Sequence, residues 1–147
     1  MRPISICLAE DDEDDCILFK EALSEIPIDT KLTRLSDGDK LLKHLMKAGV
    51  EVPDVLFLDL NMPLKNGSEC LIEIKKNKKL EHLPVIIFST SFDLDVVKQL
   101  YEHGAWYYLR KPAEYANLKL FMQKALALIK EDQDSNYKVD KFVINLQ

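Results

Sequence analysis

The sequence predicts an α/β fold in which parallel strands form one sheet with helices on both faces. Three observations indicate this architecture. Short apolar runs recur along the chain, amphipathic helical patterns lie between these runs, and the two kinds of segment alternate about five times. Such alternation implies parallel strands joined by right-handed crossovers, and therefore a three-layer, doubly wound sandwich.

Most of the predicted strands are apolar along their whole length, as expected for strands buried on both faces. They are rich in β-branched or aromatic residues, and they begin at Ile4 (ISICLA), Asp54 (DVLFLDL), Pro84 (PVIIFS) and Trp106 (WYYL). The remaining strand, TKLTRLS over residues 30–36, mixes leucines with polar residues, which is typical of a half-exposed edge strand. An edge position for this second strand favours a flavodoxin-like, five-stranded sheet with the order 2-1-3-4-5.

The segments between the strands carry apolar residues three or four positions apart, which predicts helices with one covered face. These sets are Cys16, Phe19, Leu23 and Ile26; Leu41, Leu42, Leu45 and Met46; Leu71 and Ile74; Val96, Val97, Leu100 and Tyr101; and Leu118, Phe121, Ala125, Leu128 and Ile129. Gly104 is predicted to end the fourth of these helices. Gly67 is predicted to permit a loop conformation that a side chain would hinder.

Composition limits the classes of function. The chain has 147 residues, of which 47% are hydrophobic and 31% charged, as in ordinary folded domains. We expect one domain over residues 1–130 and a tail over residues 131–147. The net charge of −5 argues against direct binding to nucleic acid or to an anionic membrane, because such binding needs a basic surface.

Cellular location is predicted from what the sequence contains. No apolar run reaches the length of a membrane span, and no stretch resembles a secretory signal, so we expect a cytoplasmic protein. The three cysteines, Cys7, Cys16 and Cys70, form no CxxC pair. We therefore expect buried structural thiols rather than disulfides or a zinc site.

The predicted topology brings together acidic residues that are distant in the sequence. Ligands of such sheets bind beyond the carboxyl ends of the strands, where strands one and three flank the switch point. The first strand ends in AEDD and the third in LDLNMP, so Glu10, Asp11 and Asp59 should meet at one crevice. Carboxylates this close repel one another unless a cation is present.

The expected cation is Mg²⁺, because the oxygen ligands are few and leave room for water and a phosphoryl group. A calcium loop starting at Asp11 is excluded, since Cys16 and Ala22 stand where an EF-hand requires glycine and glutamate. We expect Asp12 to cap the following helix. Asp14 and Asp15 are interpreted as first-turn residues that complement the helix dipole, outside the site.

Two further residues at strand ends point to the same crevice. Ser89 ends the fourth strand in FSTS, and Lys111 follows the fifth strand in LRKP. Together with the acidic residues they supply a nucleophile, a cation site, a fixed ammonium group and a hydroxyl donor. Phosphoryl transfer to a carboxylate requires this combination.

The motifs AEDD, LDLNMPLKNG, PVIIFSTS and GAWYYLRKP, in this order, resemble the receiver domain of two-component response regulators. The resemblance extends from about Ile4 to Ile129. It implies a single-domain response regulator that a histidine kinase or a phosphotransfer protein phosphorylates in a Mg²⁺-dependent reaction. Such a protein is a signalling phosphoprotein rather than an enzyme, and supports only its own phosphorylation and slow dephosphorylation.

The resemblance assigns roles to the residues of the crevice. Asp59 corresponds to the phosphoacceptor, and Lys111 to the active-site lysine. Glu10 and Asp11 correspond to the acidic pair that holds Mg²⁺ together with Asp59 and the backbone carbonyl of Asn61. Ser89 and Tyr108, the switch residues, correspond to the hydroxyl and the aromatic side chain that respond to phosphorylation. In the family, this response alters partner binding at the face formed by the fourth helix, fifth strand and fifth helix.

Other functions remain as alternatives. An aspartate-nucleophile phosphatase also needs a strand-end aspartate and Mg²⁺, but it usually carries a second aspartate two residues later, where this chain has Asn61. A flavin-binding module should have glycines and hydroxyls in its first loop, where this chain has carboxylates. A receiver-like interaction module that works unphosphorylated is the third alternative, and the complete set of site residues counts against it.

The tail begins polar and ends in KFVINLQ, where Phe142, Ile144 and Leu146 alternate as in a strand. We predict that it docks on the domain or exchanges with a second subunit, and a frayed terminus is the alternative. The tail is too short for an output domain, so a downstream protein partner is expected. Aromatic residues around Tyr101 and Tyr108 make a homodimer a further hypothesis.

Overall fold

A computed structural model describes residues 2–131 and 142–144 of the chain. In chain order its elements are β1 (Ile4–Ala9), α1 (Glu13–Ser24), β2 (Thr30–Leu35), α2 (Gly38–Met46), β3 (Val55–Leu58), α3 (Gly67–Lys76), β4 (Val85–Ser89), α4 (Leu94–Glu102), β5 (Tyr107–Arg110), α5 (Tyr115–Glu131) and β6 (Val143–Ile144). Strand and helix therefore alternate as predicted, and each helix connects two strands of one sheet.

The strands lie in the order β2-β1-β3-β4-β5-β6, and every neighbouring pair is parallel. The predicted doubly wound fold and the order 2-1-3-4-5 are confirmed. The tail adds a sixth strand to the predicted five, because Val143 and Ile144 pair with Tyr108 and Leu109. This short strand covers the edge of β5, whose backbone groups would otherwise lack partners on that side.

A hydrophobic core lies on each face of the sheet, between the sheet and the helices. Strands that are buried on both faces contribute side chains to both cores. One core joins Leu56 and Leu58 of β3 to α2, α3 and α4. The other core joins Val55 and Phe57 of the same strand to α1 and α5. Because successive side chains of a strand point to opposite faces, an apolar run such as VLFL fills both cores.

The segments that lead from strands into helices carry polar caps. Asp12 is the N-cap of α1, as predicted, and its carboxylate accepts a hydrogen bond of 3.0 Å from the backbone N–H of Asp15. Asn66 and Glu69 form a capping box at the start of α3. These caps fix the two loops that follow β1 and β3.

Gly67 has a different role from the one predicted. It is the first residue of α3 rather than a loop residue, and a Cβ atom there would lie 2.4 Å from the carbonyl oxygen of Asp59. The requirement is therefore close approach of α3 to the end of β3. Gly104 follows the C-cap of α4 with φ +97°, as expected for a glycine that ends a helix.

The three cysteines carry free thiols, as predicted. Cys7 and Cys70 are buried, and burial raises their pKa to about 12 and about 11. Cys16 is only half-buried, which differs from the prediction, and its thiol lies 3.6 Å from the carbonyl oxygen of Glu10. None of the helices in the described part of the chain has the length and apolar character needed to span a membrane.

Candidate functional site

Three carboxylates meet at the carboxyl ends of β1 and β3. Glu10 and Asp59 directly follow these strands, and their backbone N–H groups continue the sheet by donating to the carbonyls of Leu35 and Ala9, each at 3.0 Å. One carboxylate oxygen from each of Glu10, Asp11 and Asp59 lies within 4.8 Å of the others. Glu10 and Asp59 are buried, whereas Asp11 is exposed.

The two buried carboxylates are held in an environment that disfavours their charge. Burial raises the pKa of Glu10 to about 7, although hydrogen bonding to Lys111 opposes the rise. Burial also raises the pKa of Asp59, and the positive charge of Lys111 again opposes it. Positive charge placed between these groups therefore stabilises their ionised forms.

Lys111 supplies one such charge from the end of β5. Its backbone N–H donates to the carbonyl of Ser89 at 2.7 Å, and its ammonium group donates to Glu10. The Nζ atom lies 2.9 Å from Oδ2 of Asp15 and 3.8 Å from Oδ1 of Asp59. Burial lowers the pKa of Lys111, but the hydrogen bonds with Glu10 and Asp15 outweigh burial, so the pKa is raised.

The contact between Asp15 and Lys111 corrects one prediction. Asp15 was expected to lie outside the site, but its carboxylate binds the ammonium group of Lys111. Asp15 is the third residue after the N-cap Asp12, a position from which a side chain reaches back over the helix N-terminus. That position in the sequence is the signal that could have identified Asp15.

Arg34 is a second residue that the sequence did not indicate. From β2 its guanidinium donates to the backbone carbonyls of Glu10 at 3.0 Å and Asp11 at 3.2 Å, and to the carboxylate of Glu13 at 2.9 Å. These bonds fix the loop between β1 and α1 that carries the acidic pair. The contact depends on β2 lying next to β1, which a single charged residue in an edge strand does not reveal.

The loop after β3 completes the surroundings of Asp59. The backbone N–H of Asn61 hydrogen-bonds to the carboxylate of Asp59, and Asn61 and Asp11 line a cleft of about 640 Å³. Met62, Pro63 and Ser91 also line this cleft. Of the three carboxylates, Asp11 lies on the wall of this groove, and its oxygen is within 4.8 Å of oxygens of the buried Glu10 and Asp59.

The predicted switch residues lie next to this groove and are connected to each other. Ser89 is fully buried at the end of β4, and its hydroxyl lies 3.1 Å from the hydroxyl of Ser91. The buried Tyr108 of β5 donates its hydroxyl to the carbonyl of Ser91. Burial raises the pKa of Tyr108, with hydrogen bonds to Ser89 and Ser91 opposing the rise. Residues 89–91 therefore link Ser89 to Tyr108.

The donor set fits a hard divalent cation. Every candidate side-chain ligand is a carboxylate, and the three oxygens are close enough to share one ion. Asp11 is exposed, so an ion held here would remain accessible to water and to an incoming group. The structure thus places Glu10, Asp11, Asp59 and Lys111 together, with Asn61 on the groove wall, and it sets Ser89 and Tyr108 beside them.

Comparisons with known proteins identify the family of the chain. The family model for the response regulator receiver domain matches residues 6–123. Response regulator Rcp1 of Synechocystis sp. is 36% identical over 125 residues, which cover 82% of this chain and 85% of that protein. The probable methanogenesis regulatory protein FilR2 of Methanothrix harundinacea is 30% identical over 120 residues, which cover 80% of this chain and 77% of that protein.

Solved structures give the same result. The phosphorylated cyanobacterial phytochrome response regulator RcpA superposes with a TM-score of 0.81 at 29% identity, over 89% of this chain and 96% of that one. The Mn²⁺-bound form of Rcp1 gives a TM-score of 0.74 at 32% identity, over 92% of this chain and 98% of that one.

The doubly wound sheet carries its carboxylates and a lysine at the carboxyl ends of the strands, where ligands of this fold bind. The chain belongs to the response regulator receiver domain family of two-component systems. Members of this family are signalling proteins that interact with histidine kinases or phosphotransfer proteins.

Proposed function

We propose that Asp59 accepts a phosphoryl group from a histidine kinase or a phosphotransfer protein, in a reaction that requires Mg²⁺. The observation that carries this proposal is the position of Asp59, a buried carboxylate 3.8 Å from the ammonium nitrogen of Lys111. Oxygens of Glu10 and Asp11 lie within 4.8 Å of the Asp59 carboxylate. A nucleophile, a fixed cation and a set of metal ligands therefore lie close together at one end of the sheet.

In the proposed reaction an oxygen of Asp59 attacks the phosphorus of a phosphohistidine. The new O–P bond forms as the P–N bond breaks, and the electron pair of that bond stays on the imidazole nitrogen. Lys111 donates an N–H to a phosphoryl oxygen. Mg²⁺ bound by Glu10, Asp11, Asp59 and the Asn61 carbonyl would neutralise charge on the phosphoryl oxygens.

Two relatives support the proposed chemistry. Rcp1 has been solved with Mn²⁺ bound, and RcpA has been solved in a phosphorylated form. Mn²⁺ and Mg²⁺ both prefer oxygen ligands in octahedral sites. We assign Mg²⁺ to this chain because three carboxylates with open positions for water and phosphate suit its coordination.

We propose that phosphorylation is transmitted through Ser89 and Tyr108. The serine hydroxyl would turn toward the phosphoryl group, and the hydrogen bonds around Ser91 would rearrange with it. Since Tyr108 donates to the carbonyl of Ser91, the rearrangement reaches β5. Altered binding of a downstream protein at the face of α4, β5 and α5 would be the output.

We further propose that residues 1–130 form the receiver unit and that the tail, residues 131–147, docks on it. The support is Phe142, which is fully buried and packs its ring 5.4 Å from the ring of Tyr101. Residues 132–141 and 145–147, including Leu146 of the predicted strand, lie outside the described residues. Deleting residues 136–147 should lower the free energy of unfolding, and unchanged stability and oligomeric state would contradict docking.

The alternative is a homodimer, formed either through the face of α4, β5 and α5 or by exchange of the tail strand. Small-angle scattering of the full chain, with and without the phosphoryl mimic beryllofluoride, distinguishes the two. A monomer in both conditions would reject the dimer.

We place the activity in the cytoplasm, since the free thiols of Cys7, Cys16 and Cys70 suit a reducing compartment.

The test of the central proposal is Mg²⁺-dependent labelling of the purified chain by acetyl phosphate, followed by intact mass. Wild type should gain one phosphoryl group, and Asp59→Asn should gain none. Removal of Mg²⁺ with EDTA should also stop labelling. A screen of histidine kinases for transfer to Asp59 would then identify the donor.

The alternatives give different results in the same experiment. Absence of labelling in wild type would favour an interaction module that works unphosphorylated. Continuous hydrolysis of a phosphomonoester, lost in Asp59→Asn, would favour the phosphatase.

A further inference from the structure

Lys111 is shared among three carboxylates, and one of them belongs to α1. Its ammonium group has three N–H donors. Glu10 accepts one and Asp15 accepts another at 2.9 Å, while the nearest Asp59 oxygen lies at 3.8 Å, beyond hydrogen-bond distance. We propose that Asp15 is a positioning residue for phosphoryl transfer, which holds Lys111 so that its remaining N–H is directed toward Asp59. This inference rests on the proposed function.

The contact is built into rigid parts of the fold. Asp15 lies in the first turn of α1, and its backbone N–H is fixed by the N-cap carboxylate of Asp12 at 3.0 Å. The Lys111 side chain is 10% exposed and its Nζ lies 5.3 Å from the centre of the Phe88 ring. With Phe88, Glu10 and Asp15 around it, the ammonium group has little freedom to rotate.

The bond to Asp15 is charge-assisted and therefore directional as well as strong. The phosphoryl group that forms on Asp59 needs a donor aimed at its oxygens, and a preorganised donor does not have to reorient during the reaction. Without Asp15, the ammonium group would keep its hydrogen bond to Glu10 but lose the second hydrogen bond that fixes its orientation. Asp15 therefore acts on the reaction only by orienting Lys111.

Asp15 has a second physical effect that the experiment must separate from positioning. Its negative charge reduces the positive potential that an anionic phosphodonor meets. Asp15→Asn removes the charge and keeps an oxygen acceptor for Lys111, whereas Asp15→Ala removes both. Asp14, the preceding residue, is exposed and carries the same charge, so Asp14→Ala is the matched control.

The experiment measures the initial rate of labelling by acetyl phosphate at saturating Mg²⁺. Asp15→Ala should be about tenfold slower than wild type, as expected for loss of one charge-assisted hydrogen bond in the transition state. Asp15→Asn should stay within about threefold of wild type, because its amide oxygen still accepts from Lys111. Asp14→Ala should label at the wild-type rate.

A double-mutant cycle tests whether Asp15 acts through Lys111. Adding Asp15→Ala to Lys111→Ala should give no further reduction in rate, since the group to be positioned is gone. Additive effects would overturn the proposal. The affinity for beryllofluoride should fall in Asp15→Ala about as much as the rate, while the affinity for Mg²⁺ alone should not change.

The outcomes separate this inference from the proposed function. If wild type is labelled and Asp15→Ala is equally fast or faster, the positioning role is wrong and Asp59 remains the phosphoacceptor. If wild type is not labelled at all, both are wrong. Should Asp15→Ala fail to fold, Asp15→Ser, whose side chain is too short to reach Lys111, provides the same comparison.

Discussion

Two partly buried lysines lie at opposite ends of the sheet and have opposite properties. Lys111 lies at the carboxyl ends of the strands among carboxylates, and its pKa is raised. Lys75 lies at the other end, beside the loop that enters β4, and donates to the carbonyls of Leu83 at 2.8 Å and Glu81 at 3.2 Å. Burial lowers the pKa of Lys75 to about 8. Burial alone therefore does not decide the charge of a lysine, and its partners do.

The backbone shows a similar difference between the two ends. Gly49 and Gly104 lie in loops that enter strands, and they adopt positive φ values of 87° and 97° without strain. Leu64 lies in the loop that leaves β3 for the site, and it adopts φ 67° although it has a side chain. At the end of the sheet that carries the site, a residue with a side chain thus adopts a backbone conformation that favours glycine, whereas at the other end glycines adopt it. Such departures from local backbone preference are common near functional residues.

Replacing each lysine by methionine should give the largest contrast. Lys111→Met leaves Glu10 and Asp59 buried without their cation, and we expect a loss of about 3 to 5 kcal/mol in the free energy of unfolding at about pH 8. Lys75→Met loses bonds to backbone carbonyls but also removes a disfavoured charge, so its loss should be below about 1 kcal/mol. Urea unfolding without divalent ions measures both.

Mg²⁺ provides the control for this pair. Its addition should restore part of the stability of Lys111→Met, because the ion supplies positive charge to the same carboxylates. It should not affect Lys75→Met beyond its effect on wild type. Equal losses in the two variants would contradict the view that the carboxylates distinguish the two ends.

Two glycines, one at each end of the sheet, sharpen the comparison. A Cβ at Gly67 would lie 2.4 Å from the backbone carbonyl of Asp59, which cannot move without displacing the end of β3. A Cβ at Gly104 would meet the flexible stem of Lys75 at 3.3 Å, and the remaining cost is that of its positive φ. We expect Gly67→Ala to cost about 2 to 3 kcal/mol and Gly104→Ala about 1 kcal/mol.

Thermal or urea unfolding tests this ranking, and labelling at Asp59 tests its consequence. Gly67→Ala should also slow labelling, because the displaced backbone belongs to Asp59 itself. Gly104→Ala should leave labelling unchanged. The reverse order of stabilities would show that α3 can move away from β3.

The strand-end residues were predictable from sequence because their placement follows from topology. Each of Glu10, Asp59 and Lys111 comes directly after an apolar strand, and parallel strands align their carboxyl ends. The position of Asp15 was not predicted, because a run of acidic residues at a helix start is already explained by the helix dipole. The sequence does not show in which direction each of these side chains points. The alternation in KFVINLQ indicated a strand, but the pairing of Val143–Ile144 with β5 and the contacts of Arg34 depend on which strands are neighbours in space. Local periodicity does not contain that information.

The pH dependence of stability distinguishes Lys75 in the wild-type chain. Its pKa is lowered from 10.5 in the unfolded state to about 8 in the folded state, so between these values the unfolded chain binds the additional proton. Stability should therefore rise with pH from about 8 to about 10, by less than about 1 kcal/mol per pH unit because Lys75 is partly exposed. As the pH falls from about 10 to about 8, this contribution of Lys75 to the free energy of unfolding is lost.

Urea unfolding of wild type and Lys75→Met across this range isolates the contribution, because other titrating groups are shared. The difference in stability between the two chains should grow in favour of wild type as the pH rises. A difference that does not change with pH would mean that the Lys75 amine titrates normally in the folded chain.

The smallest expected effect concerns the backbone at Leu64. Its side chain is 79% exposed, so replacing it removes little packing, whereas asparagine tolerates the left-handed conformation better than leucine. We expect Leu64→Asn to stabilise the chain by about 0.5 to 1 kcal/mol. Leu64→Ala should give no gain, because it retains the Cβ that causes the strain.

Labelling at Asp59 decides whether this strain serves the site. If Leu64→Asn is more stable and is labelled at the wild-type rate, the strained residue is a tolerated local cost in the loop after β3. If the more stable variant is labelled more slowly, the left-handed turn contributes to the geometry around Asn61 and Asp59. Unchanged stability would instead show that the loop relaxes around the leucine, and that the two ends of the sheet do not differ in backbone strain.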